Sequence, residues 1–405
     1  MKLAHILVLG GAGGMGRHLA RTLAAFEFVE QITIAGLEQS EARKFCQSLN
    51  GKATFLPLNV DHENDLHSAI ASCDLVVNTV GPFYRFAEKI ISAAITLKRP
   101  YIDICDDIEP TEALLARDQE AKQAGIPLIC GLGASPGLTN ILARLACDQL
   151  DDVLEVDTIW DISGTSTVDD GYLPPPAKGQ PSAALVHWMH CCSGSVKVLE
   201  NGAWLGRRPV EPSILPMPNG EEITGWLVAH PEPLTLARRY SSLLATHNYM
   251  TGPGELFELI QVVRDRIDAG ELTLESAAIL LADDYGLAAA ITAGQEQATK
   301  DKAESSAPCL MAIARGMKDG ETTTVTARLN ALPPGGMGAI TGIPAALGVK
   351  MLYEGRITET GAFAPESIID PQRFFELFAA YCDLDEQSAL FDVTSRQGEF
   401  KVGAT

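Results

Sequence analysis

Residues 4–16, Ala4-His5-Ile6-Leu7-Val8-Leu9-Gly10-Gly11-Ala12-Gly13-Gly14-Met15-Gly16, decide how the rest of the chain is read. An apolar run ends in a glycine turn, and a helical pattern from Arg17 to Phe26 follows. The turn contains Gly11-x-Gly13-x-x-Gly16 between a strand and a helix, the context in which this spacing is informative. The first glycine permits a tight turn, the second lets backbone approach a pyrophosphate, and the third lets the helix pack closely on the strand. The helix start then presents free N–H groups and the positive end of its dipole to phosphate oxygens. The predicted contacts are Gly11, Ala12, Gly13, Gly14, Met15 and Gly16, and the ligand class is a dinucleotide. The plain alternative is a glycine-rich turn that binds nothing.

Working outward, residues 1–131 alternate strand and helix patterns. Strands are expected at 31–35, 53–58, 74–80, 101–104 and 126–130, with helices at 38–49, 62–72, 84–97 and 111–124. Continuous β-branched and leucine runs separated by helices indicate a parallel sheet covered on both faces. With the first strand, this makes a doubly wound α/β domain, in which ligands lie at the carboxyl ends of the strands.

The strand-end loops therefore hold the candidate site residues. After the second strand, Leu37 and Glu38 stand about 20 residues past the glycines, where an acid favours NAD and an arginine favours NADP. Glu38 can equally complement a helix dipole, and Arg43 and Lys44 follow it, so both cofactors stay open. After the third strand, Asp61 can flank an adenine or cap the next helix. After the fourth, Thr79, Val80, Gly81 and Pro82 offer small residues and a turn where backbone can meet the nicotinamide ribose. Phe83 or Tyr84 can wall the ring. After the fifth come Asp103, Cys105, Asp106 and Asp107, carboxylates suited to a substrate ammonium or to proton transfer, or to a solvated loop. After the sixth, Pro136 is expected to open a helix that Ser135 caps.

The texture changes beyond residue 150. Val153–Ile162 alternates as a strand, and a Gly/Pro/Ser-rich stretch runs from Ser163 to Ser182, as expected of a lid, binding loop or oligomer contact. A short helix over 184–192 carries His187 and His190. Two histidines without a nearby carboxylate or third ligand do not make a metal site, and no metal is expected. Strands at 195–198, 222–228 and 322–329 and helices at 256–267 and 274–281 make this a mixed α+β region. The segment 296–307 is expected to be a solvated loop or helix end. Thr341-Gly342-Ile343-Pro344 is expected to precede an apolar helix over 345–353, and a final apolar-faced helix covers 371–381.

Length, charge and cysteine usage narrow the class. At 405 residues the chain calls for two domains. A formal charge of −21 argues against nucleic-acid and anionic-membrane partners. No run of about 18 apolar residues is present, and the start has no signal-peptide pattern. Nine cysteines without a C-x-x-C pair fit reduced thiols and a cytoplasmic protein.

Taken together, Gly10–Gly16, Val76–Pro82, Tyr101-Ile102-Asp103, Gly125–Gly137, His230-Pro231-Glu232-Pro233 and Thr341–Pro344 through Asp370-Pro371 resemble the saccharopine dehydrogenase family. The resemblance implies a Rossmann domain (residues 1–132), an α+β substrate and dimerisation domain (133–338) and C-terminal helices packing back on the first domain (339–405). It implies NAD or NADP, a small amine or amino-acid substrate, a homodimer, and hydride transfer at a carbon–nitrogen bond of an amino acid or polyamine conjugate. Tyr84, Asp106 and His230 are the candidates for proton handling. Two positions depart from members acting on saccharopine: Ser135 replaces an aspartate before Pro-Gly, and Ile162-Ser163-Gly164 replaces a Cys-Gly. The alternative is an NAD(P)-binding sensor or assembly protein without hydride chemistry.

Overall fold

The computed structural model describes residues 4–37, 40–162, 179, 181, 183–217, 220–283, 309–384 and 389–398. They fall into two units, one drawn from Met1–Ile141 and Leu332–Asp383, the other from Leu142–Ser166, Pro174–Ala331 and Leu384–Thr405.

In the first unit the chain runs β1 (His5–Leu9), α1 (Gly14–Ala25), β2 (Gln31–Gly36), α2 (Ser40–Gln47), β3 (Ala53–Pro57), α3 (Glu63–Ala71), β4 (Leu75–Asn78), α4 (Phe83–Thr96), β5 (Tyr101–Asp103), α5 (Ile108–Ala116), α6 (Asp118–Ala124) and β6 (Pro127–Ile129). The chain passes to the second unit within α7 (Leu138–Cys147). The second unit holds β7 (Asp152–Asp161), α8 (Ala183–Cys191), β8 (Val196–Glu200), β9 (Ala203–Arg207), β10 (Pro212–Pro216), β11 (Glu222–Leu227), α9 (Glu232–Arg239), β12 (Ala245–Thr251), α10 (Gly254–Asp268), α11 (Leu274–Asp283), β13 (Leu310–Lys318) and β14 (Glu321–Leu329). The chain then returns to the first unit for α12 (Gly336–Tyr353), β15 (Gly361–Phe363), α13 (Pro365–Ile368) and α14 (Pro371–Ala379). It ends in the second unit with β16 (Phe391–Gln397).

The first sheet is wholly parallel, in the order β15-β6-β5-β4-β1-β2-β3. The order reverses between β1 and β4, and that switch point is where a doubly wound sheet opens its ligand crevice. Ile6, Leu7, Val8 and Leu9 are fully buried, as a strand covered on both faces requires. The seventh strand, β15, comes from late in the sequence and pairs with β6; three residues are too few to show a strand period.

The helix α12 packs on α1 through glycines. A β-carbon at Gly342 would lie 2.4 Å from the Met15 carbonyl oxygen, and one at Gly338 would lie 2.7 Å from His18 Cδ2. Small residues let the two backbones approach, so the late helix supports the helix that follows the glycine turn. The sequence places the helix start at Ala345, after Pro344; instead one helix runs from Gly336 to Tyr353, with Pro344 inside it. Dense apolar packing outweighs the missing N–H, since Ala339–Met351 lie almost wholly buried.

The second sheet is mixed, in the order β10-β11-β12-β7-β13-β14-β16, with β8 joined to β12 and β9. Among its described strands only β12 and β7 run parallel; the remaining pairs are antiparallel. Its core holds Ile159, Val196, Val198, Leu215, Leu227, Tyr249, Met311 and Ile313. The strands β12 and β13 are not expected from sequence alone. β12 is rich in Thr, His, Asn and Tyr, and its polar side chains are buried here because they bond to the neighbouring β7, His247 to Asp157 and Asn248 to Thr158. The stretches 163–178 and 296–307 lie outside the described residues.

Candidate functional site

In the first unit the glycine turn sits at the switch point. Gly10 adopts φ +75°, a left-handed conformation that glycine tolerates, and its N–H donates to the Ala35 carbonyl at 2.8 Å. Gly13 N–H donates back to the Gly10 carbonyl at 2.9 Å, closing the turn. A β-carbon at Gly16 would stand 2.5 Å from that same carbonyl oxygen and 2.7 Å from Gly11 Cα. A β-carbon at Gly10 would meet the Thr79 carbonyl oxygen at 2.8 Å. The turn is therefore pressed against both α1 and the end of β4.

The cap of α1 is Gly13, without a side-chain hydrogen bond, and no acid occupies the first turn. The first N–H groups thus keep no competing side-chain acceptor at the cap, and Arg17 Nε holds the turn by donating to the Ala12 carbonyl at 2.7 Å. A cap without a side chain and a first turn without acid fit a phosphate-bearing ligand.

Across the switch point, Thr79 donates through both N–H and Oγ1 to the Leu9 carbonyl, at 2.9 and 2.8 Å. Val80 N–H donates to Asn78 Oδ1 at 3.0 Å, and Gly81-Pro82 follow through a cis peptide into α4. The predicted contacts Thr79–Pro82 and Gly11–Gly16 are therefore neighbours. Leu37 stands 67% exposed just past β2, and Glu38 lies outside the described residues. Asp61 does not cap α3, whose cap position is His62. Its carboxylate instead bonds Lys89 and lies 3.6 Å from Arg85, two cations on α4 that reach it first.

Asp103 is a structural node of this strand edge. Its Oδ1 accepts from the N–H groups of Gly131 and Cys105, and its Oδ2 accepts from the Tyr101 hydroxyl. Asn78 Nδ2 donates to the same hydroxyl at 3.0 Å. The ends of β4, β5 and β6 are thereby tied together. Burial raises the Asp103 carboxyl to about 6 although those donors pull it down. Burial likewise pushes the Cys105 thiol well above its ordinary value.

The two proton candidates of this unit lie on the same edge. Asp106 is half-buried, and Tyr84 is exposed at the start of α4, its N–H donating to Asp107 Oδ2 at 3.2 Å. Helix α7 begins at Leu138, so Pro136 does not open it. Its first turn is fixed by Asn140, whose Oδ1 accepts from Gly137 N–H at 2.8 Å, while Asn140 Nδ2 donates to buried Glu366.

The third proton candidate, His230, lies in the second unit. It is buried beside Trp160, with ring centroids 5.5 Å apart, and its Nδ1 is 3.7 Å from Glu232 Oε2. Burial would lower its pKa, but Cys191 and Glu232 raise it well above the ordinary imidazole range. Conversely, the paired histidines hold the Cys191 thiol below its usual value against the cost of burial. Glu232 Oε1 accepts from Asn248 Nδ2 at 3.0 Å, and Asn248 also engages Thr158 and the Trp160 indole N–H.

Sequence reasoning passed over Cys191, Trp160 and Asn248. The spacing His187-x-x-x-Cys191 was available and places both side chains on one helix face. Nothing in the sequence near Asn248 marks it, because its partners come from β7 and α9.

A parallel sheet with this turn at its switch point defines a dinucleotide-binding α/β protein. Residues 6–129 match the family model of the saccharopine dehydrogenase NADP binding domain. The first domain is thus similar to the NADP binding domain of saccharopine dehydrogenases, which makes NAD(P) its cofactor class. It is 28% identical over 183 residues to carboxynorspermidine synthase from Vibrio cholerae serotype O1, a match covering 40% of this chain and 43% of that protein. The match thus spans less than half of that relative. The fold is similar over 96% of this chain and 100% of the other to saccharopine dehydrogenase (L-Glu forming) from Saccharomyces cerevisiae, with a TM-score of 0.64 and 15% identity. Among the described residues no helix is long and apolar enough to cross a membrane.

Proposed function

We propose that this chain is an NAD(P)-linked oxidoreductase that makes or breaks a carbon–nitrogen bond in an amino acid or polyamine conjugate. The observation that carries the reading is the glycine turn, with its uncapped helix start and adjoining Thr79–Pro82 segment, in a chain similar to a carboxynorspermidine synthase. When bound, the nicotinamide supplies or accepts the hydride. In the oxidative direction a secondary amine loses hydride from carbon and a proton from nitrogen, and water then splits the imine into a carbonyl and an amine. In the reductive direction the amine and carbonyl condense with loss of water, and the imine carbon gains hydride while the nitrogen gains a proton.

The chain's own task is to bind the pyrophosphate, exclude water and manage that proton. Asp106 offers a half-buried carboxylate for a substrate ammonium, and Tyr84 a hydroxyl one helix start away. His230 is a third proton candidate, held in place by Glu232 and Trp160. The acidic surface suits a cationic amine better than a nucleic acid.

The reading is tested by following reduced-nicotinamide absorbance across pairs of an oxo-acid or aldehyde with an amino acid or diamine, with each cofactor. Consumption that requires both members of a pair supports it. Cofactor binding with no consumption for any pair would point instead to an NAD(P)-binding sensor or assembly protein.

A further inference from the structure

One cluster in the second unit exceeds what hydride chemistry needs. His187 and Cys191 project from one face of α8, four residues apart, and Cys191 Sγ lies 3.2 Å from His187 Nε2. His230, from the segment between β11 and α9, brings a second imidazole to the same sulfur. One donor atom from each of the three lies within 4.8 Å of the others. A thiol–imidazole pair needs one histidine; here two converge on one thiol from separate elements.

We propose that His187, Cys191 and His230 are the protein ligands of a thiophilic divalent cation of the zinc class. Bonds of about 2.3 Å to sulfur and about 2.0 Å to nitrogen in a tetrahedron put donors about 3.3–3.6 Å apart, within reach of this arrangement by small side-chain rotations. A thiolate and two imidazoles are the donor set that such ions prefer. The fourth position falls to water. Charge balances as well, because a dication offsets the Cys191 thiolate and the buried Glu232 carboxylate.

The surroundings have the form of an outer shell. Glu232 Oε2 stands 3.7 Å from His230 Nδ1, and Asn248 fixes the other carboxylate oxygen. A carboxylate on the far ring nitrogen of a metal-binding histidine orients the ring and strengthens its donor atom. Trp160 stacks on the same ring. The inference does not rest on the nicotinamide reading. It does compete with one part of it, since a metal-bound His230 is not a free base and leaves the substrate proton to Tyr84 or Asp106.

The test uses the full chain, stripped by a chelator and titrated with Co2+. The expected result is one Co2+ per chain, with a sulfur-to-cobalt charge-transfer band in the near ultraviolet and visible bands of a four-coordinate ion, both bleached by Zn2+. Cys191→Ser removes the charge-transfer band, while Cys192→Ser keeps it. His187→Gln, which leaves both the thiol and the hydride-side candidates in place, weakens Co2+ binding. Glu232→Gln weakens it by about 10–100-fold. Absence of the thiolate band in the wild-type chain, or its survival in Cys191→Ser, would overturn the inference. NAD(P)H binding measured on the same samples reports separately on the nicotinamide reading, so failure of one leaves the other standing.

Discussion

The glycine turn of the first unit and the His230 cluster of the second are built on opposite designs. The turn places its backbone groups within seven consecutive residues, and its partners at Thr79–Pro82 follow the neighbouring strand. The cluster gathers Trp160 from β7, Cys191 and His187 from α8, Glu232 from α9 and Asn248 from β12. The first is mostly backbone and is sensitive to added atoms. The second is mostly side chain and is sensitive to removed ones.

That contrast can be broken by substitution. The largest stability effect is expected for Asn248→Ala, which strips hydrogen bonds from buried Glu232, Thr158 and Trp160 together. A loss of about 3 kcal/mol is expected in chemical denaturation. NADPH affinity should stay unchanged in this variant at temperatures where it remains folded. Gly16→Ala should strike the cofactor as well as the fold. Its β-carbon meets backbone at 2.5 Å, which cannot swing away, so about 1–3 kcal/mol of stability is lost and NADPH binding, read by fluorescence titration, falls at least about tenfold. If the alanine variant bound NADPH normally, the turn would not be the phosphate site.

A pH experiment sharpens the comparison within the second unit. His247 bridges Asp157 Oδ1 at 2.9 Å and Glu200 Oε1 at 3.4 Å, while Arg315 pairs with Asp157 and Glu155, and Arg207 with Glu200. Although burial opposes it, these carboxylates raise the His247 pKa. The folded chain therefore holds this proton more tightly than the unfolded one. The stabilisation is complete below the unfolded value of about 6.5 and is lost as pH rises through the folded one. Wild-type stability should exceed that of His247→Gln below the unfolded value of about 6.5, with the gap narrowing as pH rises through the folded value. A gap that widened with pH would mean the ring is neutral in the fold.

The smallest effect is expected at Asp61. Its carboxylate is solvent-facing between Lys89 and Arg85, so Asp61→Asn should leave the melting temperature unchanged and lower NADPH affinity less than Gly16→Ala does.

How much of this was legible from sequence follows the same division. The parallel sheet, the turn and the strand-end loops carry local signals of apolar runs, glycines and helix periods. The turns of α12 ahead of Ala345 and the strand β15 carry none, because burial against the rest of the unit decides them. In the second unit, His230-Pro231-Glu232 was readable as a motif, but its meaning depends on Cys191 and Asn248, far away in the chain. Asn78 illustrates the limit even in the first unit: it lies in a quoted stretch, yet its role on the Tyr101 hydroxyl needs the neighbouring strand. Residues whose partners are distant look like ordinary polar residues until the chain is folded.

The proposed hydride chemistry at a carbon–nitrogen bond is read out by reduced-nicotinamide absorbance. With the purified chain, NADPH or NADH, a carbonyl compound and an amine, absorbance should fall only when carbonyl and amine are both present, with a secondary amine as product. A chain that binds the cofactor, as a rise in melting temperature would show, yet leaves absorbance constant with every pair would contradict it.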